Sequence, residues 1–479
     1  MKITLIPITL CSLLLLNACN SLLPEDDTDT QTSTSQDGND TTASQTNSDT
    51  ETSTSEDEND TTASDTETST NQDGNDGTAS QTDTDEETLI ENHLSSWIIN
   101  NESSSSVMFS ANGSILEDVQ SAEIVSVQNE EYMYIEASGI PKYDVTMTTE
   151  IISDLNTRPR KIRDFVTGSS TTAVAGDVVT FGADIGYNSS SENCDDTGGA
   201  GYWPPGPGCP TEQTKEVYFP TEPIENEELC ETGLGVIGLL VNGTSIYNWG
   251  DGMSYGDNLW FNLAPVAEFY DVDICGGHAA SGDYHHHFYT SCLANLVGDD
   301  ASGHSPIYGF ASDGYPIYGP YESANTLAVS GWEIRDYGAA TSEGGCGTEG
   351  ERTCILNDHL DISQGVETVT AGADTDESVD TLSGNSLIAT EGYFYEDYFY
   401  AQHTVTGTRL DEHNGHDTGD GKGYHYHITL AYDDDNNLTP SFPYTIGPSF
   451  KGELTDNSSS SCSSDLGNGP GGNMPPPMM

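Results

Sequence analysis

Two stretches carry the side chains best suited to chemistry: Gly423-Tyr424-His425-Tyr426-His427 and Tyr284-His285-His286-His287. Glycine precedes the first, and β-branched and aromatic residues continue it through residues 428–432, so it reads as a strand entered from a turn. Residues two apart on a strand share a face. His425 and His427 therefore point one way and Tyr424 and Tyr426 the other, and the histidine pair can chelate one ion. His285 and His287 repeat the spacing. Nine of the twelve histidines fall within residues 271–318 and 411–427.

Neutral imidazole suits zinc, copper, nickel and iron. The two windows together are expected to build a transition-metal site, with copper or zinc as the ion. Further ligands are available in His278, His304, His413 and His416. Asp283, Asp313, Glu412 and Asp417 can ligate or orient the rings. Calcium prefers oxygen donors, and the Asp-x-Asn-Asp pieces near the amino terminus lack the full loop spacing, so it fits less well. No C-x-x-C, phosphate loop or H-E-x-x-H occurs, which leaves no haem, nucleotide or flavin signature. Alternating Tyr and His can equally form a buried hydrogen-bonded layer without any ion.

The elements that must position these residues read as mainly β: one globular domain with long glycine-rich loops and a few short helices, behind a disordered linker. Strands are expected within residues 98–113, 124–137, 145–165 and 174–185. Another is expected over 234–241, closed by the tight turn Asn242-Gly243. Short helices are expected over 264–270 and 287–297. Asp313-Gly-Tyr-Pro-Ile-Tyr-Gly-Pro320 reads as a hairpin wall, and the aromatic run 393–400 as a packed strand. Residues 19–90 are nearly all small and polar, with an imperfect acidic repeat, and cannot bury a core. Residues 456–479 are expected to be a loose tail.

The charge balance is 12 Lys+Arg against 79 Asp+Glu, a formal net charge of -67. Such a surface repels phosphate backbones, which argues against nucleic acid as a partner. Residues 1–18 have the charged start and short apolar run of an export signal. Eight cysteines remain beyond it: Cys194, Cys209, Cys230, Cys275, Cys292, Cys346, Cys354 and Cys462. An even number in an exported chain points to disulfides, with Cys194–Cys209, Cys275–Cys292 and Cys346–Cys354 suggested by proximity.

Two resemblances extend this reading. Leu16-Asn17-Ala18-Cys19 resembles the lipobox of bacterial lipoproteins, which implies cleavage before Cys19 and a lipid on it. The chain would then be exported and lipid-anchored at the cell envelope, in the outer membrane or on the surface of a Gram-negative host. Residues 200–455 resemble the YHYH domain of exported bacterial, archaeal and algal proteins. The resemblance rests on Leu239-Leu-Val-Asn-Gly243, Cys275-Gly-Gly-His278, Tyr284-His-His-His287, the run from His304 to Pro320, Leu410-Asp-Glu-His-Asn-Gly415 and Gly423-Tyr-His-Tyr-His427. Residues 91–199 then form a β-rich part before that domain. Many relatives carry cysteine where this chain has His413, which implies no disulfide there and one more possible ligand. The resemblance names a domain without naming a reaction. Metal capture is the first expectation for function. A cell-surface adhesion or carbohydrate-binding module, and a metal-dependent hydrolase or oxidase, are the alternatives.

Overall fold

The strand Val236–Leu240 (β1), the turn Asn242-Gly243 and the strand Ser245–Tyr247 (β2) form a hairpin, as the turn residues predict. This computed structural model describes residues 81–463 apart from 111, 159–164, 167, 169, 191–200, 205–207, 257, 382–383 and 406. The signal stretch, Cys19, the repeats, Cys194 and most of the expected tail lie outside the described residues. Six more strands join the hairpin: His278–Ala280 (β3), Asp283–His286 (β4), Ile307–Ala311 (β5), Pro316–Tyr318 (β6), Gly415–His416 (β7) and His425–His427 (β8). Together they make one sheet in the order β3-β4-β2-β1-β5-β6-β8-β7.

That order reads the same from either edge. β1 and β5 meet antiparallel at the centre, with Leu239 opposite Phe310, Gly238 opposite Ala311 and Leu240 opposite Gly309. This register maps onto itself under a two-fold rotation through the Leu239–Phe310 pair. The two hairpins share one irregular register: Val236 faces Tyr247 and Gly238 faces Ile246, just as Ile307 faces Tyr318 and Gly309 faces Ile317. Outside them, β2 runs parallel to β4 with Ile246 beside His286, and β6 runs parallel to β8 with Ile317 beside Tyr426. The halves are two copies of one pattern.

One hydrophobic cluster joins this sheet to the preceding part of the chain. Ile246, Tyr284, Ile317 and Tyr426 share it with Trp97, Met133, Ile135 and Phe219. A three-stranded antiparallel sheet of Val119–Val127, Glu130–Ala137 and Lys215–Pro220 supplies Met133, Ile135 and Phe219. Its last strand comes from beyond residue 200, so the parts before and after that point fold as one β-rich body.

Several expectations shift. A helix, Gln81–Ser95, begins inside the stretch expected to be linker. Within 145–165 the structure has a three-residue strand and then the helix Thr149–Thr157. Its Thr148 side chain accepts from the Ile151 backbone N–H, an N-cap, and Leu155 turns inward. The adjacent β-branched Ile151 and Ile152 mask that cap in the sequence. The expected short helices shrink to Ala264–Ala267 and Ser291–Val297. The aromatic run 393–400 is half 3-10 turn, Tyr395–Asp397, and half strand, Tyr398–Tyr400. Disulfides join Cys275 to Cys292, Cys346 to Cys354 and Cys230 to Cys462, and Cys209 is also disulfide-bonded.

The two-fold junction leaves no room for side chains at its glycines. A Cβ on Gly238 would stand 2.5 Å from the Phe310 carbonyl oxygen, and one on Gly309 2.5 Å from that of Leu239. Both obstacles are backbone. Gly309→Ala should therefore destabilise the protein by about 1–3 kcal/mol through overpacking. Gly303→Ala, where a Cβ meets nothing within 4 Å, should shift it by no more than about 0.5 kcal/mol. Thermal unfolding of the two variants checks this, and equal melting temperatures would contradict it.

Candidate metal centres

Strand alternation separates the two side-chain types as the sequence predicts. On β4, Tyr284 and His286 turn to the core. Tyr284 donates to Asp273 at 2.9 Å, and His286 Nε2 lies 3.2 Å from the Tyr143 hydroxyl. On β8, Tyr426 donates to Asp313 at 2.6 Å, and the adjacent Tyr424 donates to Asp411 at 3.0 Å. His285, His287, His425 and His427 point to the opposite face, and all four are buried. Asp273 and Asp411 are themselves fixed by equivalent backbone donors. Asp273 accepts from Cys275 and Gly277, and Asp411 from His413 and Gly415.

Carbonyl oxygens set the tautomers. His285 Nδ1 lies 2.9 Å from Asp283 O, and His287 Nδ1 2.6 Å from Asn248 O. His425 Nδ1 lies 2.8 Å from Gly423 O, and His427 Nδ1 2.7 Å from Gly319 O. His304 Nδ1 likewise lies 2.8 Å from Ser305 O. A carbonyl only accepts, so each Nδ1 carries the hydrogen and each neutral ring presents a bare Nε2 lone pair. The partners correspond between the halves: Asn248 follows β2 where Gly319 follows β6.

The bare nitrogens converge in two groups. In the first, His285 Nε2 and His287 Nε2 are 3.2 Å apart, and His278 completes a set within 4.8 Å. Glu268 Oε2 stands 3.4 Å from His278 Nε2 and 3.3 Å from His287 Nε2. Four ligands about 2.0–2.1 Å from one ion sit about 3.3–3.4 Å apart in a tetrahedron, which these separations match. In the second group, donor atoms of His304, Glu322, His425 and His427 lie within 4.8 Å of one another. Glu322 Oε2 is 3.1 Å from His416 Nε2, 3.5 Å from His427 Nε2 and 3.8 Å from His304 Nε2. Nε2 of His304, His416, His425 and His427 and Oε2 of Glu322 find no hydrogen-bond partner among the described residues. Buried donors left bare in this way are the residues that fit an ion.

Burial favours the neutral form of His285, His416, His425 and His427. It holds His285 well below the usual value, with His278 and His287 adding to the effect. It lowers His425 and His427 to about 3 and His416 to about 4, with His427 adding to the shift of His425 and His416. Burial raises Glu268, but His278 and His287 beside it outweigh that, and the carboxyl stays below its ordinary value.

Of the residues expected at one site, the structure sorts His278, His285 and His287 into the first centre. It sorts His304, His416, His425 and His427 into the second. The windows thus build two centres, and His304 crosses from the first window to the second centre because β5 belongs to the second half. His413 stands outside both: its Nδ1 lies 2.9 Å from the Ser449 hydroxyl, and its Nε2 3.8 Å from Glu412. The expected carboxylates lie outside both groups of converging donor atoms. Asp283 pairs with Lys215 at 2.6 Å, Asp313 holds Tyr426 and the Gly452 N–H, and Asp417 caps a turn at Gly419 on the surface. Glu268 and Glu322 take that place. Neither was signalled, since single glutamates carry no contrast in a chain with 79 acidic residues. The aromatic run offers no exposed strip, for Tyr393, Phe394, Tyr395 and Tyr400 are buried.

A β-rich domain bearing two histidine–carboxylate centres on a two-fold-related sheet defines the class of protein. Residues 216–438 match the family model described as YHYH protein, and the chain carries a YHYH domain whose span includes both centres. Comparison with curated proteins and with solved structures found no match.

The lowered histidines make metal-free stability depend on pH. Below about 6.5 the unfolded chain takes protons that folded His425 and His427 refuse until about pH 3. Their contribution is complete above pH 6.5 and is lost as pH falls toward 3, by about 1.4 kcal/mol per unit for each histidine. The melting temperature of chelator-treated protein should drop steadily from pH 7 to pH 5, and less steeply for His425→Ala/His427→Ala. Calorimetry reads both slopes, and a flat wild-type profile would count against the buried neutral rings.

Proposed function

We propose that this protein is an exported, lipid-anchored lipoprotein whose YHYH domain binds transition-metal ions, copper or zinc, one at each histidine centre. The observation that carries the metal reading is the pair of facing lone pairs on His285 and His287. Their Nε2 atoms lie 3.2 Å apart while both Nδ1 hydrogens are committed to carbonyls. Two lone pairs at that distance repel unless a cation lies between them, and burial disfavours a proton in that role. A divalent ion satisfies them, and the one carboxylate at each centre, Glu268 or Glu322, would offset half of its charge.

Support for export comes from the Leu16-Asn17-Ala18-Cys19 motif and from disulfide use. Substitution Cys19→Ala should move the protein from the membrane fraction to the soluble one.

The metal reading is tested by elemental analysis of purified protein equilibrated with zinc or copper and then desalted. Two equivalents are expected for the wild type and one for His425→Ala/His427→Ala. Metal-free wild type, or a double variant that still holds two, would refute it.

A further inference from the structure

We propose that the two centres are not interchangeable: the first holds a four-coordinate zinc ion and the second a five-coordinate cupric ion. This rests on the reading that both centres bind metal, and goes on to assign each its ion. The assignment follows from the two-fold relation, which lets the centres be compared ligand by ligand. His278, His285 and His287 stand where His416, His425 and His427 stand, by strand pairing: His278 lies opposite His285 on one hairpin, and His416 opposite His425 on the other. Each half adds one carboxylate, Glu268 or Glu322.

His304 has no counterpart. It lies three residues before β5, and the residue three before β1 is Gly233. Its ring inserts at the second centre, 5.5 Å from that of His425 and 5.3 Å from that of His427. The neighbouring tyrosines differ accordingly. Tyr247 stacks flat on His285 at 3.6 Å and 12°, closing the first centre over its ligands. Its equivalent Tyr318 meets His425 edge-on at 4.8 Å and 63°, and also packs edge-on against His304.

The first centre therefore presents three nitrogens and one oxygen at tetrahedral spacing, the ligand number and geometry zinc prefers. The second presents four nitrogens and one oxygen, with Glu322–nitrogen separations spread from 3.1 to 3.8 Å. Five donors exceed a tetrahedral shell, and a nitrogen-rich set with one longer contact suits cupric copper.

The experiment is to give full-length protein one equivalent each of zinc and copper and record the electron paramagnetic resonance of the cupric ion. Four coupled nitrogens are expected in the wild type. His304→Gly, which installs the residue of the other half, should show three and bind copper at least about tenfold more weakly. His285→Gln should lose zinc and leave the copper spectrum unchanged. An unchanged spectrum in His304→Gly, or copper shared equally between the centres, overturns this inference while the metal reading stands. Protein that binds neither ion overturns both.

Discussion

Everything at the two centres depends on backbone carbonyls that accept from Nδ1. A histidine free to rotate and change tautomer is a poor buried ligand, because its lone pair can turn away or pick up a proton. Here the carbonyls of Asp283, Asn248, Gly423 and Gly319 hold four rings in one tautomer, and three of those carbonyls sit at strand ends fixed by the sheet. The tyrosines behind the rings complete the constraint. Tyr284 and Tyr424 reach Asp273 and Asp411 across glycines, Gly277 and Gly415, where any Cβ would collide with the hydroxyl. Tautomer, ring direction and strand position are set together, so the Nε2 atoms converge in advance of any ligand.

The two-fold arrangement explains why such a site occurs twice. A hairpin like β3–β4 cannot bury both faces alone, and a two-stranded ribbon is marginal in water. Pairing β4 with β2, and then β1 with β5, makes a sheet wide enough to bury Tyr284 and Tyr426 on one side while the histidines face the other. Five strand-to-strand steps separate β4 from β8 in that order, about 24 Å at the usual spacing. Any ions the centres hold would be too far apart at that distance to share a binuclear site. Cooperation between them would have to travel through the sheet.

The sequence made local geometry legible and long-range partnership illegible. The alternation in Tyr424-His425-Tyr426-His427 is a local property of a strand, and it told the face of each residue correctly. The two hairpin turns, Asn242-Gly243 and Asp313-Gly314, were readable for the same reason. Chain order, however, is not sheet order. His304 lies close in sequence to His287 but is delivered to the other centre by β5, and Glu268 and Glu322 arrive from segments with no histidine signal. His413 misled by proximity. It occupies the place of Cys275, two residues after the aspartate that anchors each half, and so points at Ser449 instead of at the converging histidines.

The acidic surface and the neutral centres then play complementary parts. A formal charge of -67 draws cations of every kind toward the protein, but exposed carboxylates discriminate poorly and their field is screened within about 10 Å at ordinary ionic strength. Selection among those ions would have to occur at the buried donors, where imidazole favours borderline ions over calcium and magnesium. Burial lowers His416, His425 and His427 to between about 3 and 4, so those lone pairs remain available in mildly acidic surroundings that would protonate an exposed histidine. On the proposed metal reading, surface charge would raise the local supply of cations and the histidine centres would decide which of them is kept.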